Sequence, residues 1–367
     1  MKKTDSKYNY NSIFELVKED IVRNVYPTGL LLPTEINLAA KYAVSRPTIA
    51  KVYNQLQTEG FIKKKKGIGS IVTYKNSRNI YTFGLLLPGA GESEIFSIIN
   101  DRFLKQSESG QFNCLWEGAT ASNADIRKTL IESCCNSYIE KKVDGIFFAP
   151  LERVIDANEI NTAICHKIKK AGIPLVLIDR DIVTSPERSE FDVIGIDNFN
   201  AGCIMARHLI EAGCEIIHFF YRPDSASSVN LRLAGIRNMV LEHNLPFSDQ
   251  HVHCAEPSDK ESIKQIKIVP GKTGIICAND ATAAVLMSSL DTIGVQIASD
   301  LLICGYDDMK YSSHLKYALT TFQQPCEAIT DVSIELMMIR VKNKQIPPVT
   351  VNLTGEIVVR KSGIFAT

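Results

Sequence analysis

The 367-residue sequence predicts an α/β protein with a small N-terminal domain of three helices and a β-hairpin, followed by a larger body built on parallel sheets. The first 75 residues hold three short helical periodicities and then a lysine-rich hairpin. From residue 81 onward, apolar runs of strand length alternate with helical stretches. Charge divides near the same point, because residues 1–75 hold 13 Lys and Arg against 6 Asp and Glu, whereas the remainder holds 28 against 35.

The composition is that of an ordinary globular protein, with 45% apolar and 22% charged residues. The most apolar runs are strand-length and too short to span a membrane, and the N-terminus lacks the apolar segment of a signal peptide. The ten cysteines include no CxxC pair, and most lie in apolar segments where a thiol behaves as a small hydrophobe. We therefore expect a reduced, cytoplasmic protein.

Residues 11–25 have the amphipathic spacing of a first helix, which ends at the turn formed by residues 26–29. A second helix begins after Thr34 and a third after Ser45, because both residues are suitable N-caps. Pro47 is tolerated because its missing N–H falls in the first turn. The apolar face of the third helix consists of Ile49, Val52, Tyr53 and Leu56.

Residues 61–73 predict two short strands joined by a basic, glycine-containing tip. Helices followed by such a hairpin form a winged helix-turn-helix, whose second motif helix enters the major groove of DNA. The residues expected to contact DNA are Thr34, Glu35, Ser45, Arg46, Thr48, Lys51, Lys63, Lys64, Lys65, Lys66 and Gly67. A lysine run is usually a solvated loop, but this run belongs to a segment of net charge +7, which favours a phosphate-backbone partner.

The motifs LPTE, LA, VSRPT, LxxEGFI and GxGSxV within residues 8–74 closely resemble the GntR family of bacterial transcription regulators. The resemblance implies a winged helix-turn-helix that binds double-stranded DNA. At Ile36 the family usually has an arginine, so that phosphate contact does not carry over.

The body, residues 81–367, follows a polar linker at residues 76–80. Strand-like runs occur at 82–87, 112–116, 145–149, 174–178, 192–196, 216–220, 273–277 and 301–305. Helical stretches include 95–109, 122–141, 158–171, 198–212, 228–244, 280–293 and 325–342. This alternation implies parallel sheets covered by helices on both faces, and the length favours two α/β lobes with a ligand cleft between them.

Polar residues follow three of these strands, at Asp179, Asn279 and Asp307, and Gln324 follows the further stretch LTTF. These four residues lie in the motifs GIPLVLIDR, IICAND, LLICGYDD and LTTFQQP. Three further motifs are DGIFFAP, IGIDN and LRLAG, the last of which contains Arg232. Together the seven motifs resemble those of the lac-repressor and periplasmic-sugar-binding-protein fold. The resemblance implies that Asp179, Arg232, Asn279, Asp307 and Gln324 line a sugar cleft. A GntR head on a periplasmic-binding-protein-like body resembles the arabinose-repressor type of regulator.

Sugar hydroxyls both donate and accept hydrogen bonds, which carboxylates, amides and a guanidinium can satisfy together. The alternative for the Asp and Asn residues is helix or turn capping. Phe96 and Trp116 are candidates to cover the C–H face of a sugar, although a place in the core is favoured for either one taken singly. Glu117 is a further candidate because it follows the second strand of the body.

Other chemistry is not supported. His251 and His253 share one face of a predicted strand, with Cys254 opposite, but no spacing supplies further metal ligands, so an edge-strand surface is the preferred interpretation. No phosphate-binding loop or nucleophile elbow occurs. We expect neither metal nor cofactor.

These observations predict a cytoplasmic, homodimeric, sequence-specific transcription repressor, whose operator affinity is controlled by a neutral monosaccharide that the protein does not convert. The alternative is a sugar-processing enzyme with an accessory DNA-binding head. A solute-binding protein is opposed by the missing signal peptide and the basic head. The sequence leaves open which sugar binds, which operator is recognised, and whether the sugar induces or co-represses.

Overall fold

The computed structural model describes residues 9–22, 25–74, 80–89, 94–117 and 124–366. The chain divides into two compact units, Met1–Asn79 and Ile80–Thr367. Of the predicted linker at 76–80, residues 76–79 lie outside the described residues. Within the described ranges, no helix is long and apolar enough to cross a membrane.

The N-terminal unit contains three helices and a two-stranded antiparallel wing, as predicted. The elements are α1 (Tyr10–Val22), α2 (Glu35–Tyr42), α3 (Arg46–Thr58), β1 (Ile62–Lys65) and β2 (Gly69–Val72). The predicted N-caps are present, because the Thr34 hydroxyl accepts from the Asn37 N–H at 3.2 Å and the Ser45 hydroxyl accepts from the Thr48 N–H at 3.4 Å. The apolar faces of the three helices and the wing enclose one small core.

The body contains two six-stranded sheets in its described part. Its strands are β3 (Tyr81–Leu86), β4 (Phe112–Leu115), β5 (Gly145–Phe148), β6 (Leu175–Ile178), β7 (Asp192–Ile196), β8 (Ile216–Tyr221), β9 (Val252–Cys254), β10 (Thr273–Cys277), β11 (Leu301–Tyr306), β12 (Thr320–Gln323), β13 (Thr350–Leu353) and β14 (Glu356–Val358). Its helices are α4 (Glu94–Ser107), α5 (Ala124–Glu140), α6 (Ala157–Lys170), α7 (Asn198–Glu211), α8 (Ser227–Glu242), α9 (Lys260–Lys264), α10 (Asp280–Thr292) and α11 (Cys326–Lys342).

Each sheet is the centre of one lobe. The N-lobe has the strand order β13-β7-β6-β5-β3-β4, with α4, α5, α6 and α11 packed on it, and the C-lobe has the order β14-β12-β11-β10-β8-β9, with α7 to α10. Neighbouring strands are parallel except for β12 and β14. The prediction of two α/β lobes with parallel sheets is confirmed.

The chain passes between the lobes three times: from β7 to α7, from β12 to α11, and from β13 to β14. The predicted strand set omitted β13 and β14. β13 alternates between exposed and half-buried positions, and β14 has one exposed and two half-buried residues, so neither contains the buried apolar run that marked the others.

A histidine cluster lies at the β9 edge of the C-lobe sheet, where an edge strand was predicted. The prediction did not include His218, which is buried in β8 and hydrogen-bonded to His253 (Nδ1 to Nε2, 3.0 Å). The Nε2–H of His218 donates to the Lys267 carbonyl at 3.2 Å. Among the described residues, no group of three or more His, Cys, Asp or Glu side chains is placed to hold a metal ion.

We expect the protein to lose stability as the pH falls from 6.5 towards 4, in part because of His218. Burial and, next, the neighbouring His253 lower the pKa of His218 to about 4. In that range the unfolded chain binds a proton at this residue that the folded protein does not bind, which favours unfolding by up to about 3 kcal/mol. Urea unfolding of His218→Gln between pH 7 and 4.5 should show a shallower decline than wild type. If the free energy of unfolding of His218→Gln falls with pH as steeply as that of wild type, this assignment is contradicted. His166→Gln, at an exposed histidine in α6, is the matched control.

Candidate DNA-binding surface and effector cleft

The exposed side of α3 and the wing carry the basic residues predicted to contact DNA. Arg46 is at the first position of α3, and its side chain is 67% exposed. Lys51 is exposed one and a half turns further along the same helix. The exposed wing residues from the predicted set are Lys63, Lys65, Lys66 and Gly67. Gly67 has a φ of +78°, which permits the tight turn at the tip of the wing.

Glu35, predicted to contact DNA, forms ion pairs with two of the predicted basic residues. Its carboxylate lies 3.2 Å from Nε of Arg46 and 3.7 Å from Nζ of Lys64, so it connects the recognition helix α3 to the wing. Lys64 also donates to the side-chain oxygen of Asn54 in α3 at 2.7 Å. A carboxylate repels the phosphate backbone, whereas these ion pairs orient two cations, and a contact of Glu35 with DNA stays a prediction.

The body contains a cavity of about 290 Å³ between its two lobes. Six of the residues predicted to bind the effector line it: Asp179, Arg232, Asn279, Asp307, Gln324 and Phe96. Asp179, Asn279, Asp307 and Gln324 come together because the carboxyl ends of the parallel strands in both sheets point towards the cleft, whereas Phe96 and Arg232 come from helices α4 and α8. Phe96 and Asp179 belong to the N-lobe, and the other four to the C-lobe.

Arg232 is held by the close packing of α7 against α8. A Cβ atom at Gly202 would lie 2.1 Å from the Arg232 carbonyl oxygen, and one at Gly235 would lie 1.9 Å from the carbonyl oxygen of Phe199. The two backbones can approach this closely only because both residues are glycine. As a result, the Nε–H of Arg232 donates to the Asn198 side chain at 2.8 Å.

The guanidinium of Arg232 is fixed on two further sides. Nη1 donates to the Ala278 carbonyl at 2.6 Å, and the guanidinium carbon lies 4.5 Å from the centre of the Tyr306 ring. Nη2 makes no hydrogen bond to the described residues. A donor is thus left for a ligand in the cavity.

Asp307 and Gln324 form a pair in the same cavity, with the amide of Gln324 donating to Asp307 at 2.7 Å. The carbonyl oxygen of Gln324 is buried and has no hydrogen-bond partner among the described residues. Burial raises the pKa of Asp307 well above its usual range, against the opposing effect of the Arg232 charge. Its backbone has a φ of +112°, which a non-glycine residue rarely adopts and which is typical of strained functional positions.

Asp179 faces these residues from the N-lobe. One carboxylate oxygen lies 3.3 Å from Nη1 of Arg180, and the other is buried without a partner among the described residues. Arg180 also pairs with Glu152 at 3.0 Å. Burial raises the pKa of Asp179 despite the adjacent arginine. An unpaired buried acceptor costs free energy, which a hydroxyl donor from a ligand recovers.

Asn279 both caps a helix and lines the cleft. Its side-chain oxygen accepts from the N–H of Thr282 at 2.8 Å, which satisfies the first turn of α10. The capping interpretation is therefore correct for this residue. The amide nitrogen makes no hydrogen bond to the described residues and remains a donor for a ligand.

Trp116 and Glu117 do not line the cavity. The Trp116 side chain is 39% exposed. Glu117 accepts from Ser137 of α5 at 3.0 Å and pairs with Lys141, which directly follows that helix, so its carboxylate is already engaged. Phe96 is fully buried in the core and also lines the cavity, so both interpretations of this residue hold.

Several lining residues were not among the predicted site residues. They are Arg127, Glu152, Arg153, Arg180, Arg222, Ser225, Ser228 and Thr282. Arg222 follows β8 directly and Arg180 follows β6 after one residue, so the rule applied to Asp179 would also have selected them. Arg127 and Arg153 lie within a helix and a loop, and no sequence signal marks them.

Comparison with known proteins agrees with this architecture. The model of the gntR family of bacterial regulatory proteins matches residues 9–72, and that of the periplasmic binding protein-like domain matches residues 206–363. The chain joins a GntR-family winged helix-turn-helix to a periplasmic-binding-protein-like domain. The resemblance stated from the motifs is confirmed.

The chain is similar to the arabinose metabolism transcriptional repressor of Halalkalibacterium halodurans, with 24% identity over 335 residues that cover 88% of this chain and 85% of the relative. Its structure is similar to a complex of the transcriptional regulator CelR with cellobiose, with a TM-score of 0.63, 19% identity and coverage of 90% and 100% of the two chains. A LacI family regulator from Enterococcus faecium with bound ribose gives a TM-score of 0.62 and 21% identity, covering 78% and 100%. At these identities the structural likeness establishes the fold alone.

Proposed function

We propose that this chain is an operator-binding transcriptional repressor whose affinity for DNA is controlled by a sugar bound between the lobes of its body. The observation that carries the proposal is the convergence of Asp179, Arg232, Asn279, Asp307 and Gln324 on one cavity, in a chain that also holds a basic winged helix. The relative named as an arabinose metabolism repressor supports the assignment.

The cavity suits a monosaccharide in size and chemistry. Its volume of about 290 Å³ is at the lower end of the roughly 300–1,000 Å³ of small-molecule pockets. Unpaired acceptors on Asp179 and Gln324 face donors on Arg232 and Asn279, and this combination matches hydroxyls that donate and accept.

Closure of the lobes is the proposed link to DNA. The N–H of Arg153 in the N-lobe donates to the Asp224 carbonyl of the C-lobe at 2.9 Å, so the two lobes are already in contact beside the cleft. A ligand that contacts both lobes favours the closed arrangement by its greater affinity for that state. In a homodimer, which we propose as the cytoplasmic form, closure changes the spacing of two winged domains and therefore operator affinity.

The enzyme alternative is less well supported. Adjacent carboxylates at Asp307 and Asp308 would be the obvious acid–base pair, but Asp308 is engaged by Arg360 at 2.7 Å and by Gln323 at 2.7 Å. Its carboxylate therefore has a structural partner on each oxygen.

The proposal is tested by measuring operator affinity by fluorescence anisotropy in the presence of pentoses, hexoses and their acidic and phosphorylated derivatives. At least one should change the affinity tenfold or more, in either direction, and NMR should show the compound unconverted. Conversion that is abolished in Asp307→Asn would support the enzyme alternative instead.

A further inference from the structure

The cavity is surrounded by more positive than negative charge. Five arginines line it: Arg127, Arg153, Arg180, Arg222 and Arg232. The lining carboxylates are Glu152, Asp179 and Asp307. Sugar hydroxyls alone do not require such an excess of guanidinium groups.

Two of the five arginines have their charge balanced within the site. Arg180 pairs with Glu152 and Asp179, and Arg232 is attracted to the carboxylate of Asp307. Arg127, Arg153 and Arg222 form a separate group, here called the arginine cluster. Within the described residues, no carboxylate lies within 4.0 Å of Arg127 or Arg153. Arg222 has only Glu256, with Nε 3.6 Å from a carboxylate that is itself half-exposed.

The arginine cluster also has donors without acceptors. The Nε–H groups of Arg127 and Arg222 are buried and make no hydrogen bond to the described residues. A side-chain nitrogen of Arg127 reaches the Arg153 carbonyl only at 3.4 Å. The hydroxyl of Ser228 is buried in the first turn of α8 and likewise makes no hydrogen bond to the described residues. The N-cap of this helix is Ala226, whose side chain has no oxygen to accept from the first backbone N–H groups. Oriented donors at a helix N-terminus add to a surface suited to an anion.

The arginine cluster spans the cleft. Arg127 and Arg153 belong to the N-lobe, whereas Arg222 belongs to the C-lobe. Burial and, next, the charge of Arg153 lower the pKa of Arg222, so the two like charges influence each other across the lobes. Lobe closure therefore brings positive charges together at a free-energy cost that an anion between them removes.

We propose that the effector is an anionic carbohydrate whose phosphate or carboxylate group is bound by Arg127, Arg153 and Arg222, while its hydroxyls contact Asp179, Asn279 and Asp307. The proposal rests on the proposed function and specifies its ligand class. Guanidinium groups bind both anions through paired, charge-assisted hydrogen bonds. A neutral sugar, which the sequence led us to expect, leaves the arginine cluster without a counter-charge.

The test uses the full-length protein at constant ionic strength with matched compounds: pentoses and hexoses, their terminal phosphate esters, and the corresponding aldonates and uronates. Calorimetry and operator anisotropy are recorded for each. An anionic member should bind about 10- to 150-fold more tightly than its neutral parent, since it adds hydrogen bonds between charged groups. Preference for the ester or for the acid identifies phosphate or carboxylate as the anion.

A neutral sugar that binds as tightly as its anionic counterparts would overturn this inference while leaving sugar control of DNA binding intact. If no compound binds and inorganic phosphate gives no more thermal stabilisation than chloride at equal ionic strength, both this inference and the proposed function lose their support.

Substitution of the arginine cluster gives a second readout. Arg222→Gln, and separately Arg153→Gln at an exposed position, should reduce the preference for the anion over its neutral parent towards unity. Arg237→Gln is the matched control, because Arg237 lies on α8 outside the cavity and is half-exposed. Retention of the full anion preference in both cluster variants would overturn the assignment even if the anionic compound binds.

Discussion

Replacing Arg232 with alanine is expected to abolish the effector response while the effector-free protein still binds its operator. The substitution removes the donor left for a ligand in the cavity and the positive charge that opposes the rise in the pKa of Asp307. A hydrogen bond to a charged group contributes about 1.5–3 kcal/mol, so effector affinity should fall about 10- to 150-fold from that contact alone. Operator anisotropy with and without effector measures both properties.

Arg232 also stabilises the fold, since it donates to Asn198 and Ala278 and stacks on a tyrosine ring. Arg232→Ala should therefore melt at a lower temperature as well. Asp307→Asn separates the two roles. Because burial raises the pKa of Asp307, its ionised form destabilises the folded protein at neutral pH, and the neutral amide should maintain or raise the melting temperature while the effector response is lost. A normal effector response in both variants would exclude these residues from the site.

The second large effect is expected at Arg46. Its Nε is held by Glu35 at 3.2 Å, and its two terminal nitrogens make no hydrogen bond to the described residues, so they are available as a pair for a guanine edge in the major groove. Arg46→Ala should reduce the preference for operator over random duplex by about 5- to 150-fold, corresponding to about 1–3 kcal/mol. Competition anisotropy with the two duplexes measures this ratio.

The comparison for Arg46 is the double variant Lys63→Gln/Lys65→Gln in β1. Both lysines are exposed, whereas Lys64 is occupied by Asn54 and Glu35 and is a poorer test of phosphate contacts. The double variant should weaken operator and random duplex alike and reduce the salt dependence of binding by about two ion equivalents. Unchanged preference in Arg46→Ala would move base recognition to another part of the surface.

The winged domain was predictable almost residue by residue because its signals are local. Thr34 and Ser45 each bond to an N–H three residues later, and the wing turn needs only the glycines that the sequence shows. The cleft residues Asp179 and Asp307 were predictable for a different reason, since parallel strands place all their carboxyl ends at one edge.

What the sequence did not predict depends on partners distant in the chain. Glu117 follows a strand, as Asp179 does, but Ser137 of α5 and Lys141 just after α5 engage its carboxylate. The arginine cluster draws on three separate segments of two lobes, and no spacing relates Arg127, Arg153 and Arg222. Their shared role becomes visible only when the lobes face each other.

The three passages of the chain between the lobes have a consequence for synthesis on the ribosome. During synthesis, β7 is the edge strand of the N-lobe sheet until β13, residues 350–353, has been made and pairs with it. Nearly the whole chain must therefore emerge before that sheet is complete, and β7 presents an unpaired, largely apolar edge in the meantime. The C-lobe sheet is likewise incomplete until β14 has been made and pairs with β12. The winged domain has its own core, whose last contact comes from Tyr74, and can fold long before the body does.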